Sequence, residues 1–241
     1  TGEPTLHIYL GDMIRRVKRM TPLPVAVITN GSLLYQPEVR EELSAADAVL
    51  PTLDAGTAEL YRRINRPHPQ LTFERLVDGL VAFRGEYHGK LWVEVMLVRG
   101  LNDSDDDLRV IAATLEEIRP DEIHINLPTR PPVETWVAPP DEEGLRRAMS
   151  ILGEVARVVH PAEGHFDLRG YDNAVDAVIG IITRHPMRED ELRKALSRWS
   201  SADVDSTLKE VEQSGRAQVI ERYSCRFWSA GSAHYPNQTH S

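Results

Sequence analysis

Residues 90–103 read KLWVEVMLVRGLND, an apolar and valine-rich run over 90–98 that breaks at Arg99-Gly100 and again at Asn102-Asp103. A short run of this kind, bounded by turn formers, predicts a strand covered on both faces by crossover helices. Three further runs share its character: 24–29 (PVAVIT), 47–53 (DAVLPTL) and 122–127 (EIHINL). Between them, helical spacing predicts helices at 37–46, 57–64, 72–86 and 104–118, with a first helix at 8–20 whose Met13, Ile14, Val17 and Met20 share one face. Strands alternating with helices predict a parallel α/β unit. Trp92 and Met96 are read as core residues of the 90–98 strand.

The C-terminal ends of these strands meet polar or turn-forming clusters: Thr29-Asn30-Gly31, Thr52-Leu53-Asp54, Gly100-Leu101-Asn102-Asp103, and Asn126 to Arg130. Parallel α/β sheets and barrels place their sites along that edge. The acidic run Asp105-Asp106-Asp107 has a local explanation, because Asp103 or Ser104 caps the following helix and acidic side chains favour its positive end. A calcium loop would need alternating ligands around a central glycine, which the run lacks. Pro139-Pro140 is read as the opening of a long helix reaching about residue 159.

With 241 residues, the chain has room for one large α/β domain or one with a small appendage, and its 41% hydrophobic and 27% charged residues describe an ordinary globular protein. Up to Thr183 there are 19 Lys+Arg against 29 Asp+Glu, and 9 against 8 afterwards, so neither part has the basic excess of a protein that neutralises nucleic-acid phosphates. No apolar run approaches a membrane span, and TGEPTLHIYLGDM at the N-terminus does not pattern as a signal peptide. The expectation is a cytoplasmic protein without a membrane partner. The single cysteine, Cys225, cannot form an internal disulfide or build a multi-cysteine metal site. His7, His68, His124, His160 and His165 show no metal-ligand spacing, so no metal residue is assigned.

After His165 the pattern changes to three short helices, 174–183, 188–199 and 202–214, followed by alternating runs at 217–222 and 225–228 that suggest a hairpin. Three helices and a hairpin predict a winged-helix-like module over 165–228, with 229–241 a disordered tail. The second helix of the helix-turn-helix pair carries Asp203, Asp205, Glu210 and Glu212 against Lys209, which disfavours DNA. Protein contact or intramolecular docking is favoured over nucleic-acid binding, and the hairpin's Tyr223, Phe227 and Trp228 serve either to touch RNA or a partner or to close a small core.

The segment Gly2-Glu3-Pro4-Thr5-Leu6 resembles the glycine-glutamate-proline motif of radical S-adenosylmethionine (SAM) enzymes. The resemblance continues through Thr29-Asn30-Gly31, Thr52-Leu53-Asp54, Glu94 to Val98 with Gly100 to Asp103, and Ile125-Asn126 with Arg130-Pro131-Pro132. In order and spacing these segments are similar to the iron–sulfur oxidoreductase group related to wyosine-base-forming enzymes, a link to RNA modification. It implies that residues 1–164 form the C-terminal part of a partial parallel (β/α) radical SAM barrel.

The resemblance further implies SAM and a [4Fe–4S] cluster as cofactors, and reductive cleavage of SAM to start radical chemistry on a substrate that the sequence leaves unidentified. By position, Gly2, Glu3 and Pro4 would border the SAM amino group, Thr52 and Asp54 the ribose or methionine portion, and Leu127 the adenine. Glu94 and Asn126 are further polar candidates, while Thr29 and Asn30 would face substrate or simply form the turn. The family's three cluster cysteines, on a loop after the first strand, have no counterpart here. The expectation is that a segment carrying them precedes Thr1, or that the chain is a catalytically inert interaction protein on the same framework. A barrel enzyme for phosphorylated substrates is disfavoured because no glycine-rich phosphate loop is evident.

Overall fold

The computed structural model describes residues 2–128, 131–132, 134, 136–159, 171, 173–184, 186–199, 204–222 and 225–233. Two compact units divide the chain: Thr1–Leu127 with Ala138–His160, and Pro128–Val137 with Pro161–Ser241. Among the described residues no helix is long and apolar enough to cross a membrane.

The first unit is an α/β layer built on five parallel strands, β1 (Ala26–Thr29), β2 (Ala48–Pro51), β3 (Lys90–Met96), β4 (Glu122–Asn126) and β5 (Ala156–Val158), in the spatial order of the chain. This is the sheet of a partial (β/α) barrel. The helices α1 (Leu10–Met20), α2 (Pro37–Leu43), α3 (Ala58–Asn65), α4 (Phe73–Glu86), α5 (Asp105–Ile118) and α6 (Glu142–Leu152) connect the strands. Four of the six starts are set by a side-chain cap: Thr57, Thr72, Ser104 and Asp141 place a side-chain oxygen on a first-turn N–H of α3, α4, α5 and α6. One face of the sheet is packed, with Val27, Val49, Leu91, Val93, Val95, Ile123 and Ile125 buried beside Leu80, Phe83, Leu108, Ile111 and Leu115 of the helices.

Three expectations are corrected. Strand β3 is not buried on both faces, since Leu91, Val93 and Val95 are buried while Lys90 and Met96 are exposed and Trp92 and Glu94 half-buried. Trp92 and Met96 therefore stand on an accessible face. The helix expected to reach residue 159 ends at Leu152, because Gly153 adopts φ +89°, and the chain then turns into β5 beside β4. Pro139 and Pro140 precede that helix, with Asp141 as its cap.

In the second unit α7 (Ala174–Arg184), β6 (Met187–Arg188), α8 (Glu189–Trp199) and α9 (Val204–Gln213) lead into β7 (Ala217–Arg222) and β8 (Cys225–Ala230). The three strands form an antiparallel sheet in the order β6-β8-β7, the helix–strand–helix–helix–hairpin order of a winged helix. Strand β6, only two residues long, was not expected. Phe227 and Trp228 are buried, and the Trp228 indole N–H donates to Glu189 at 3.1 Å, so these aromatics close a core. Residues 201–203, at the expected start of α9, and 234–241 of the expected tail lie outside the described residues.

Candidate functional site

Strand register decides which side chains share the accessible sheet face. Ile28 pairs with Leu50, and Trp92 with Glu122, while one step further along Thr52 aligns with Glu94, Glu94 with His124, and His124 with Arg157. The next row, at the strands' C-terminal end, holds Met96 opposite Asn126. Because side chains alternate between faces, Ile28, Trp92, Glu94, Met96, His124 and Asn126 lie on the face opposite the helices. Ile28 and Met96 are 61% and 41% exposed there.

Several expected residues converge on this face. The Asn126 amide Nδ2 donates to Glu94 Oε1 at 2.9 Å. Neither Glu94 Oε2 nor Asn126 Oδ1 has a partner among the described residues, leaving two acceptors side by side. Next to them Trp92 stacks on His124 with ring centroids 5.4 Å apart, and His124 Nε2 lies 3.0 Å from Glu122 Oε2. The His124 and Trp92 positions were missed as site features, although every second residue of 90–96, Lys-Trp-Glu-Met, already departs from the apolar partners between them. Leu127 is half-buried just beyond Asn126.

Asp54 has a different environment. Its Oδ1 accepts the Met96 N–H at 2.8 Å and its Oδ2 accepts from Asn65 Nδ2 at 2.9 Å, and it is only 7% exposed. Burial, with a smaller push from the Glu94 charge, raises its pKa to about 6 against those hydrogen bonds. Behind it Asn102, fully buried, donates to Asp54 O and Met96 O at 2.8 Å each and accepts the Val98 N–H at 2.7 Å. One amide thus ties the end of β2's extension to the end of β3. Sequence reading placed Asn102 in a turn cluster and missed this bracing role.

The N-terminal motif forms a second convergence at the end of β1. Glu3 Oε1 accepts from Thr29 Oγ1 at 2.5 Å and from Thr5 Oγ1 and N, while Oε2 accepts the Asn30 N–H at 2.7 Å. Burial alone would raise the Glu3 pKa, but the Asn30, Thr29 and Thr5 hydrogen bonds together hold it below the usual carboxylate range. Pro4 opens the turn that Glu3 caps, and a Cβ at Gly2 would meet open space. Asn30 Oδ1 accepts the Ser32 N–H at 2.9 Å and Gly31 has φ +72°, which is the turn geometry an Asn-Gly pair favours. Thr129 and Arg130, from the cluster that follows β4, lie outside the described residues.

A parallel sheet of a partial barrel, with polar residues gathered where the strands end, defines the class of α/β barrel-type proteins that act at that edge. The chain belongs to the radical SAM superfamily, whose family model matches residues 1–129. It is 30% identical over 217 residues to the UPF0026 protein MJ1312 of Methanocaldococcus jannaschii, covering 88% of this chain and 67% of that protein. A UPF0026 protein of Helicobacter pylori (strain 26695) is 29% identical, with 94% of this chain and 73% of that one covered. A GTPase Obg of Brachyspira hyodysenteriae is 41% identical over 130 residues, 54% of this chain but 19% of its own length. Among solved structures, a domain of pyruvate-formate lyase-activating enzyme from Bacteroides vulgatus superimposes with TM-score 0.54 at 19% identity, covering 66% of this chain and 96% of that one. That likeness shows the fold.

The superfamily implies SAM and a [4Fe–4S] cluster as cofactors. The SAM molecule fits what is present, because the accessible acceptors on Glu94 and Asn126 suit the hydroxyl and amino donors of a nucleoside. The cluster does not fit this chain's own donors. Cys225 is its one cysteine, on β8 of the second unit, and no group of three or more His, Cys, Asp or Glu side chains among the described residues could hold a metal. Three thiolates are the usual ligand set.

Proposed function

We propose that this chain carries the SAM-binding portion of a radical SAM enzyme, with the nucleoside lying on the accessible sheet face at the C-terminal ends of β2, β3 and β4. The single observation that supports this is the Glu94–Asn126 pair, which offers two acceptors without a partner among the described residues at the strand ends. Glu94 and Asn126 receive the ribose hydroxyls, Thr52 stands in the same row as Glu94, and Leu127 provides apolar surface for the adenine. The Gly2 to Pro4 segment borders the amino-acid end through the Gly2 carbonyl, since the Glu3 carboxylate is committed to Thr5, Thr29 and Asn30 and the Glu3 and Pro4 carbonyls accept the Leu6 and His7 N–H groups. Asp54 acts as a positioning residue: its buried carboxylate holds the Met96 N–H and Asn65, and through them the end of β3.

In this superfamily the radical chemistry begins with an electron from the cluster, whose thiolates Cys225 does not supply. The chain by itself is therefore expected to bind SAM weakly and not to cleave it. Calorimetric titration of SAM into the chain and its Glu94→Gln variant, alongside anaerobic iron reconstitution with assay for 5′-deoxyadenosine, tests both halves. Weak binding that drops about tenfold in the variant supports the seat, that being the loss of one or two hydrogen bonds to a charged acceptor. Affinity unchanged by Glu94→Gln would place SAM elsewhere, and stoichiometric cluster with turnover would refute the ligand argument.

A further inference from the structure

A cavity of about 480 Å³ lies between α3 and α4, apart from the Glu94–Asn126 pair, and neither the strand-end chemistry nor the fold accounts for it. Its walls are apolar, from Leu71 and Phe73, and Arg62, Arg66 and His68 stand on its lining. Tyr61 lines it too, its ring 5.9 Å from that of Phe73 in a tilted arrangement. The Tyr61 side chain is nearly enclosed, with the residue only 5% exposed, yet its hydroxyl has no hydrogen-bond partner among the described residues. The hydroxyl oxygen itself is not sealed from solvent, and Tyr61 lines the cavity, where a ligand atom can pair with it.

We propose that this cavity binds a ring-bearing phosphate ester of nucleotide size. The volume falls within the range of small-molecule sites, about 300–1,000 Å³, which suits a nucleoside monophosphate. Phe73 and Leu71 receive the ring, and the Tyr61 hydroxyl donates to or accepts from a polar atom on it. Arg62 is exposed at the rim and supplies charge for a phosphate. His68 Nδ1 accepts the Gln70 N–H at 3.3 Å, so its other nitrogen is left to donate outward. The N-terminal turn of α4, capped by Thr72, adds its positive end on the same side. Glu74 is the one acidic residue of the lining, and its carboxylate is held chiefly by its own backbone N–H and the Thr72 side chain, with a smaller contribution from the Arg62 charge.

The pocket is mechanically joined to the sheet edge. Asn65, the last residue of α3, donates to Asp54, which in turn accepts the Met96 N–H. A ligand that fixes α3 thus also fixes the strand end beside Glu94.

Ligand-observed NMR and calorimetry with adenosine monophosphate, adenosine and inorganic phosphate test the proposal on the whole chain. Two variants accompany the wild type. Tyr61→Phe removes only a hydroxyl that no described residue uses, and Arg62→Gln removes an exposed charge, so both are expected to melt at the wild-type temperature. Adenosine monophosphate is expected to bind, and its affinity to fall about fivefold to tenfold in each variant, as the loss of one hydrogen bond or one charge contact gives. Adenosine is expected to bind more weakly than the monophosphate and to be insensitive to Arg62→Gln. No binding of adenosine monophosphate, binding unchanged by both variants, or inorganic phosphate binding as tightly as the nucleotide would each overturn it. Because SAM binding is read separately through Glu94, failure here leaves that assignment standing, and the reverse also holds.

Discussion

Replacing Asn102 by alanine removes the side chain that braces the site edge. Asn102 is fully buried and makes three hydrogen bonds, to Asp54 O, Met96 O and the Val98 N–H, each 2.7 or 2.8 Å long. Alanine offers none of these. Unmet buried groups cost about 1–3 kcal/mol each, and strands otherwise intact relax enough to recover part of that, so the net loss is expected to be about 4 kcal/mol. That is a large share of the roughly 5–15 kcal/mol available to a domain, and it corresponds to nearly a thousandfold in the opening equilibrium. Hydrogen exchange by mass spectrometry reads it locally, as faster exchange in peptides covering 48–56 and 90–98, while peptides from 174–199 and 204–222 stay at the wild-type rate. Asn102→Asp is the informative control, since it keeps the shape but turns an acceptor toward two carbonyl oxygens, and should destabilise at least as much at neutral pH. A loss below about 1 kcal/mol in both variants would mean that these bonds are replaced by water and that Asn102 is not the brace.

Two other outcomes follow from the same geometry. The folded pKa of Asp54, about 6, stands above its unfolded value near 3.8, so the folded state holds the proton longer and the Asp54 contribution to stability falls as pH rises from about 4 to 6. The stability of wild type minus that of Asp54→Asn should therefore decline across that window, by up to about 3 kcal/mol, in urea melts at a series of pH values; a rising difference would reverse the assigned sign. Among the described residues strand β1 has β2 as its only sheet neighbour, and Ile28 is 61% exposed on it, so the chain is expected to self-associate with rising concentration in sedimentation velocity. Ile28→Lys should suppress that association, and an unchanged profile in the variant would show that β1 is not the contact.

The strand positions were legible because each β-branched run is short, bounded by turn formers and separated from the next by a helical period. Thus residues 90–98 and 122–127 located β3 and β4 within two residues of their observed ends. What was hidden in the sequence follows from the geometry of single residues. The run 156–158, Ala-Arg-Val, is too short to stand out after a helix, and the helical period reads straight through it, whereas Gly153 with its positive φ ends α6 before β5. The open face of β3 was missed because Trp92 and Met96 are apolar residues that also suit a core, and only strand register shows that they share a face with Glu94 and Asn126. Glu3 of the N-terminal motif is engaged locally by Thr5 and, across more than twenty residues, by Thr29 and Asn30, a contact that no local pattern encodes.

The most direct test of the central claim is a backbone-amide NMR titration of the whole chain with SAM. Shifts are expected to concentrate at Thr52, Glu94, Met96 and Asn126, with smaller changes at Gly2 to Thr5, and to be lost in Asn126→Ala at unchanged fold. Shifts confined to residues 174–230, or a pattern that persists unaltered in Asn126→Ala, would contradict the placement of SAM on the sheet face.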